Sequence, residues 1–322
     1  VNGAEYGLRH GPYTALITAR GAAVRVLQHR GRDLVVPFPA GGPNPHFRGV
    51  VVAPWPNRIP DGKYTFNGVD YRVPVNEPDR ECALHGFTPE LDWTLEARTE
   101  NTLGLSCRIE PTPGYPFALS ITACYRLDGA GLHTAVTAAN VGERTAPYGV
   151  CPHPYLRAGP APLDEWSLEV PAGRFLEVTP DRLLPLAARP VAGHPYDFRT
   201  ARVIGSTAID NAFTDIAFER GGRASVVVRD PGGTGVGMTW DRSSGWVQLY
   251  TGDTEPPLPN RLGLAVEPMT CPPDDFNTGT DLVRLEPGAS HHAAWRIFAT
   301  LTRPCPQRAG GRQVRELTPN VR

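Results

Sequence analysis

An all-β architecture, a large antiparallel β-sandwich, is what this sequence predicts, and three observations predict it. Apolar and polar residues alternate with period two along many short segments. Turn formers separate those segments: 34 glycines and 35 prolines make up about a fifth of the 322 residues, below the rough quarter that marks low-complexity disorder. Apolar spacing of helical period is scarce.

The elements follow in order along the chain. Residues 64–73 read as a hairpin: Tyr64 and Phe66 alternate with polar neighbours, Asn67-Gly68 supplies a type I′ turn, and Val69, Tyr71 and Val73 resume the alternation. That turn needs positive φ at both central residues, which Asn and Gly tolerate. Strands are expected at 93–97 and 103–109. A second hairpin runs through Leu119, Ile121, Ala123, Tyr125 and Leu127, turns at residues 128–131, and returns from Leu132 to Ala138. Further strands are expected at 166–170, 225–228, 246–250 and 295–299. With no internal repeat and no linker in mid-chain, residues 1–303 are expected to form one sandwich domain. Residues 304–322 carry four Arg against one Glu, an Ala-Gly-Gly break and little apolar content, and are expected to be a peripheral tail.

Composition excludes several partners. A net charge of -1 offers no concentrated basic face for nucleic acid or an acidic membrane surface. No apolar run approaches the roughly 18 residues that span a bilayer. The first 18 residues alternate without a charged segment leading into an apolar one, so no secretory signal is read and a cytoplasmic home is the default. Cys82, Cys107, Cys124, Cys151, Cys271 and Cys305 have no repeated spacing and read as reduced thiols. The only lysine is Lys63, beside a hairpin, which argues against Schiff-base chemistry.

Five stretches set polar residues among apolar or proline-stiffened neighbours. In residues 51–59 an apolar strand runs into Pro54-Trp55-Pro56 and presents Asn57 and Arg58 side by side, a fork of donors for hydroxyl oxygens or, alternatively, half of a surface ion pair. His85 lies in Leu84-His85-Gly86-Phe87, and His153 lies between Pro152 and Pro154. Flanking prolines hold the backbone extended and aim the imidazole, which suits a proton carrier, although a buried His also serves as a hydrogen-bonded core residue. Asp210 is bracketed by Ile209 and Phe213 and could instead close an Asx-turn. Glu267 ends the apolar stretch 262–266, where desolvation would raise its pKa into the range of a general base. Gln248 adds a neutral polar group to the apolar strand 246–250.

Two rival constellations compete with these. Cys82, His85, Cys151 and His153 could supply a tetrahedral zinc site, but their gaps match that pattern loosely. Residues 233–237, Gly-Thr-Gly-Val-Gly, echo a phosphate loop but lead into Met238-Thr239-Trp240 with no helical pattern, and read as a turn. His291-His292 reads as exposed rather than as a ligand pair.

Taken together, Pro56-Asn57-Arg58-Ile59 with Asp61-Gly62, Asn76-Glu77-Pro78, Leu84-His85-Gly86, Pro152-His153-Pro154-Tyr155, Tyr196-Asp197-Phe198-Arg199, Asp210 before Phe213-Thr214, and Glu267-Pro268 before Asp274 and Asn277 stand in the order seen in aldose 1-epimerases. The resemblance spans about residues 34–300. It is strongest to the bacterial branch outside the galactose mutarotases proper, which carry a second Gly where Phe87 stands. Asp275 also replaces a small residue usual in the family.

The resemblance implies a galactose-mutarotase-like supersandwich with an open cleft. It implies Glu267 as base, His153 as acid and His85 as assistant, with Asn57, Arg58, Asp210 and Gln248 holding sugar hydroxyls. The implied reaction is exchange of α and β anomers of a free hexose, with no metal and no cofactor, by a monomer or homodimer. Three alternatives remain open. The substrate could be a phosphorylated or sulfonated hexose, which would need a second Arg such as Arg80 or Arg242 facing the pocket. The chain could be a carbohydrate-binding sandwich without turnover. A glycoside hydrolase built on Glu267 and Asp210 is the third, although paired histidines fit ring opening better. Tyr155, Phe87 and Trp240 could wall the cleft or simply pack in the core.

Overall fold

A computed structural model describes residues 3–301, so the expected tail at 304–322 lies outside the described residues. Two large antiparallel sheets dominate. The first has nine strands in the order Thr94–Arg98, Thr102–Ile109, Leu119–Asp128, Gly131–Asn140, Ser290–Leu301, Thr234–Asp241, Arg223–Arg229, Ser167–Glu169, Arg202–Val203. The second has six, ordered Tyr155–Leu156, Leu264–Met269, Trp246–Tyr250, Asp210–Ile216, Ala172–Val178, Pro185–Pro190. A four-stranded sheet, Glu5–His10, Tyr13–Thr18, Val24–His29 and Arg32–Asp33, packs beside them, tied to the nine-stranded sheet where the Tyr125 hydroxyl donates to Ala22 O. The antiparallel β-sandwich class is therefore correct. Among the described residues the single α-helix is Asp275–Thr278.

Side-chain alternation explains the first sheet. Leu119, Ile121, Ala123, Tyr125 and Leu127 are buried while most of their neighbours are more open, and Leu132, Thr134, Val136 and Ala138 answer from the returning strand, in register Ala123 to Val136. The hairpin at Lys63–Phe66 and Val69–Arg72 turns on Asn67 (φ 52°) and Gly68 (φ 76°), as its sequence requires.

The second sheet is different. Every residue of Leu264–Met269 is buried, as are four of the five in Trp246–Tyr250, because both faces are covered. Glu267 lies inside its strand rather than at its end, which corrects the sequence expectation. A second correction concerns residues 233–237. The turn closes at Gly233, whose N–H donates to Asp230 O, and Thr234 to Gly237 belong to the long strand that follows. Glycines serve there because cross-strand side chains lie over them: an added Cβ would come within 2.3 Å of Thr300 Oγ1 at Gly235 and 2.5 Å of the Phe298 ring at Gly237.

One close approach fixes the loops above the second sheet. Gly86 (φ +64°) runs against the 53–58 segment, and a Cβ on it would lie 2.2 Å from Ala53 O. That same oxygen accepts from the N–H groups of Phe87 and Thr88 at 2.8 and 3.1 Å. Gly86→Ala combines a strained φ with backbone overlap, and is expected to lower stability by about 1–3 kcal/mol. A urea midpoint equal to wild type would show that the two loops are not locked in this way.

Candidate active site

The register of the six-stranded sheet gathers four polar side chains on one face. Gln248 lies opposite Glu267 on one side and Ala212 on the other, while Asp210 lies opposite Tyr250. Residues opposite one another share a face, and residues two apart along a strand share it too. Glu267, Gln248, Tyr250 and Asp210 therefore point the same way. Gln248 Nε2 donates to Asp210 Oδ1 at 2.7 Å, so Asp210 opens its strand as a hydrogen-bonded carboxylate and closes no Asx-turn.

The opposing wall comes from loops. His153 sits between Cys151–Pro152 and Tyr155–Leu156, its N–H donating to Val50 O and its carbonyl accepting from Gly49 N–H. Asn57 and His85 both adopt positive φ, 57° and 63°, and clasp each other. His85 N–H donates to Asn57 O at 2.9 Å, and Asn57 N–H donates to His85 Nδ1 at 3.2 Å. With Nδ1 accepting, neutral His85 carries its proton on Nε2.

All seven sequence-derived site residues, Asn57, Arg58, His85, His153, Asp210, Gln248 and Glu267, line one cavity of about 210 Å³. His46, Phe47, Glu77, Arg80, Leu84, Tyr155 and Tyr250 complete it. Of the three aromatic wall candidates only Tyr155 borders the cavity; Phe87 packs on Trp55 and Tyr115, and Trp240 is fully buried elsewhere. His291 and His292 are not part of it.

At its floor His153 Nε2 lies 3.3 Å from Glu267 Oε1, both side chains almost wholly buried. Cys151 Sγ stands 3.9 Å from Glu267 Oε2, and the His85 and His153 rings meet edge to face at 4.9 Å. Arg58 makes a bidentate pair with Glu77, Nε to Oε2 at 2.7 Å and Nη2 to Oε1 at 2.8 Å, while Nη1 turns toward Asn57 Oδ1 at 3.4 Å. The two readings of Arg58 thus merge: it does close an ion pair, but a buried one that aims its remaining edge at the site.

Burial dominates the electrostatics. It raises Glu267 well above the ordinary carboxylate range, helped by the charge of Asp210 and opposed by Arg58 and the Cys151 thiol. It lowers His153 to about 4, and pushes His85 well down with help from His153 and Arg58. Asp210 is raised by burial, against the pull of Arg58 and Gln248. Burial also works against the charge of Arg58, but the hydrogen bonds of Glu77 and the charge of Asp210 outweigh it.

The zinc constellation is not assembled. Among the described residues, the donors that come within 4.8 Å of one another are His85, His153 and Glu267, without either Cys82 or Cys151. The Nε2 proton imposed on His85 makes its free nitrogen a donor. Ligation there would require moving that proton onto Nδ1, against the Asn57 N–H. The five described cysteines are free thiols.

The charges make a titration prediction. Removing the Asp210 charge in Asp210→Asn favours ionised Glu267 and should shift its midpoint to lower pH; Arg58→Gln should shift it to higher pH. Carboxyl-carbon NMR of labelled protein checks both directions, and coincident midpoints in the three proteins would contradict this electrostatic layout.

The aldose 1-epimerase family model matches residues 5–297. The uncharacterised Escherichia coli protein YihR is 34% identical over 301 residues, covering 92% of this chain and 94% of its own. Galactose mutarotase of Sus scrofa is 25% identical over 278 residues, 80% of each chain. In fold, the crystal structure of the aldose epimerase homologue of C. elegans superposes with TM-score 0.82 at 20% identity, covering 92% of this chain and 99% of that one. No helix among the described residues is long and apolar enough to cross a membrane. On the match over nearly its whole length, this chain belongs to the aldose 1-epimerase family.

Proposed function

We propose that this protein interconverts the α and β anomers of free hexoses, with Glu267 as base, His153 as acid and His85 as a fixed hydrogen-bond donor. The observation that carries this reading is the 3.3 Å contact between a buried carboxylate and a buried imidazole, facing a cavity ringed by Asn57, Arg58, Asp210 and Gln248.

The proposed steps balance. From the ion pair formed when the Glu267 proton passes to His153 across their 3.3 Å contact, Glu267 takes the proton of the C1 hydroxyl, His153 gives its proton to the ring oxygen, and the bond between C1 and that oxygen breaks to leave the open aldehyde. Rotation about C1–C2 turns the other carbonyl face toward the hydroxyl. Closure reverses both transfers. Both opening transfers discharge a buried group, the direction in which burial pushes Glu267 and His153. Arg58 and Asp210 hold the remaining hydroxyls so that the open form stays in place.

A specific observation favours a second substrate class. Arg80 lines the same cavity as Arg58, with Nε 3.4 Å from Glu77 Oε1, whereas Arg242 lies over the Phe218 ring. A phosphorylated or sulfonated hexose would place its anion near Arg80. Faster exchange of hexose 6-phosphates than of free hexoses, lost in Arg80→Gln, would select that class.

Polarimetry on freshly dissolved α-glucose and α-galactose tests the main reading. Glu267→Gln and His153→Asn are each expected to lose roughly a hundredfold to ten-thousandfold in kcat; wild-type rates in both variants would sink it. Sugar binding seen by calorimetry with no acceleration of exchange would instead favour a binding module. Glu267→Gln has a second readout. A carboxyl whose folded pKa is raised above its unfolded value destabilises the fold at neutral pH, where the unfolded group is ionised freely. Glu267→Gln should therefore unfold at higher denaturant than wild type at pH 7, and the gain should fade as pH drops toward the unfolded value.

A further inference from the structure

Resting on the epimerase reading, we infer that Arg182, which does not border the cavity, is a positioning residue for sugar binding: it clamps the loop that delivers Glu77 and Arg80 and, through Glu77, the guanidinium of Arg58. That loop has little packing to hold it. Its 3₁₀ turn, Pro78–Arg80, buries no residue, so polar contacts must set its course. Asn76 ties the entry, exchanging hydrogen bonds with the backbone of Leu84 at 2.9 and 2.6 Å. The exit passes through Glu81 in a left-handed conformation (φ 50°) before Cys82–Leu84 pairs with Arg58–Pro60. Arg182 sits at this exit.

Arg182 arrives from a distant turn of the six-stranded sheet, between Ala172–Val178 and Pro185–Pro190. Thr179 closes that turn: its carbonyl accepts from Leu183 N–H at 3.0 Å and its hydroxyl oxygen from Leu184 N–H at 3.2 Å. The guanidinium then serves three acceptors. Nε donates to Arg80 O at 2.8 Å, and Nη2 donates to Glu81 O at 2.9 Å and to Asp61 Oδ1 at 2.8 Å. Asp61 follows Arg58–Pro60 directly, and its own N–H donates to Glu81 O at 2.8 Å, so the segments on both sides of the Arg58–Glu77 pair meet at one junction. The contact is mutual: Arg80 Nη1 donates to Asp181 O, while Arg80 Nε lies 3.4 Å from Glu77 Oε1. A planar fork of fixed donors can serve acceptors on two segments at once, which a single ammonium cannot. A shift at this junction moves Arg58 and Arg80 relative to the cavity. It leaves the contact between Glu267 and His153 alone, since that pair rests on the inner strand Leu264–Met269 and on residues 151–156.

The test measures kcat and KM for anomer exchange on glucose, galactose and their 6-phosphates, together with urea midpoints. Arg182→Ala is expected to raise KM about fivefold to tenfold with kcat within about twofold, the pattern of binding lost equally from ground state and transition state. Arg182→Lys, which keeps the charge without the fork, should show the same rise. In an Arg58→Gln background the further loss in kcat/KM from Arg182→Ala should shrink to about twofold, because a group that it positions is gone. Asp61→Asn, at an exposed side chain, removes one acceptor's charge and gives the same comparison where Arg182→Ala folds poorly. A lower urea midpoint with KM unchanged, wild-type constants in Arg182→Lys, or an undiminished loss in the Arg58→Gln background overturns the clamp alone. Absence of acceleration by the wild type on every sugar overturns the epimerase reading, and this assignment with it.

Discussion

The structure is organised around a carboxylate that water barely reaches. Glu267 is 2% exposed in a strand whose six residues are all buried. An isolated charge there would be untenable, so neighbours must share it. His153 meets one of its oxygens and the Cys151 thiol the other. Arg58 contributes from further off, and Arg58 is itself kept charged by Glu77, a residue from a different loop. The order of dependence runs outward: a 3₁₀ turn at Pro78–Arg80 positions Glu77, Glu77 fixes the guanidinium, and the guanidinium offsets Asp210 and Glu267.

A rigid sheet and a clasped pair of loops divide the work. The sheet sets the spacing of Glu267, Gln248 and Asp210 through register alone, since a one-residue slip would turn all of them to the other face. The loops cannot rely on register. Instead Asn57 and His85 exchange two hydrogen bonds at left-handed backbone positions, and Gly86 lets the segments touch without a side chain between them. The same clasp chooses the tautomer of His85. Backbone geometry and proton position are thus one decision.

The parts of this arrangement that were legible in the sequence are those with local causes. Alternation revealed the strands at 103–109 and 119–138, and Asn67-Gly68 announced its turn, because each signal lies within a few residues of its effect. Glu267, His153 and Arg58 stood out as polar groups in apolar or proline-stiffened surroundings. The doubly covered strands were harder: continuous burial erases period two, so Glu267 read as a strand end and Thr234 to Gly237 as a turn. Phe47 and Tyr250 were missed because ordinary aromatics gain a role only from what folds opposite them. The pairing of Arg58 with Glu77, 19 positions away, had one available signal: a buried guanidinium needs a carboxylate, and Asn76-Glu77-Pro78 is among the stretches that carried the family resemblance.

Burial sets the direction of the proposed chemistry. An exposed carboxylate would hold its charge easily and take a weakly acidic hydroxyl proton with little gain, while an exposed imidazolium would release one reluctantly. Here desolvation penalises both charged forms in concert, so the proposed ring opening would run toward the uncharged pair and the open aldehyde. The opposing tendency comes from the sugar, whose cyclic form is the more stable. An enzyme that must run equally well from either anomer gains from such a balance, since a site favouring one charge state outright would trap the intermediate or never form it. Placing the carboxylate on an inner strand, beyond the reach of solvent yet in contact with a histidine, would make that balance a property of the fold.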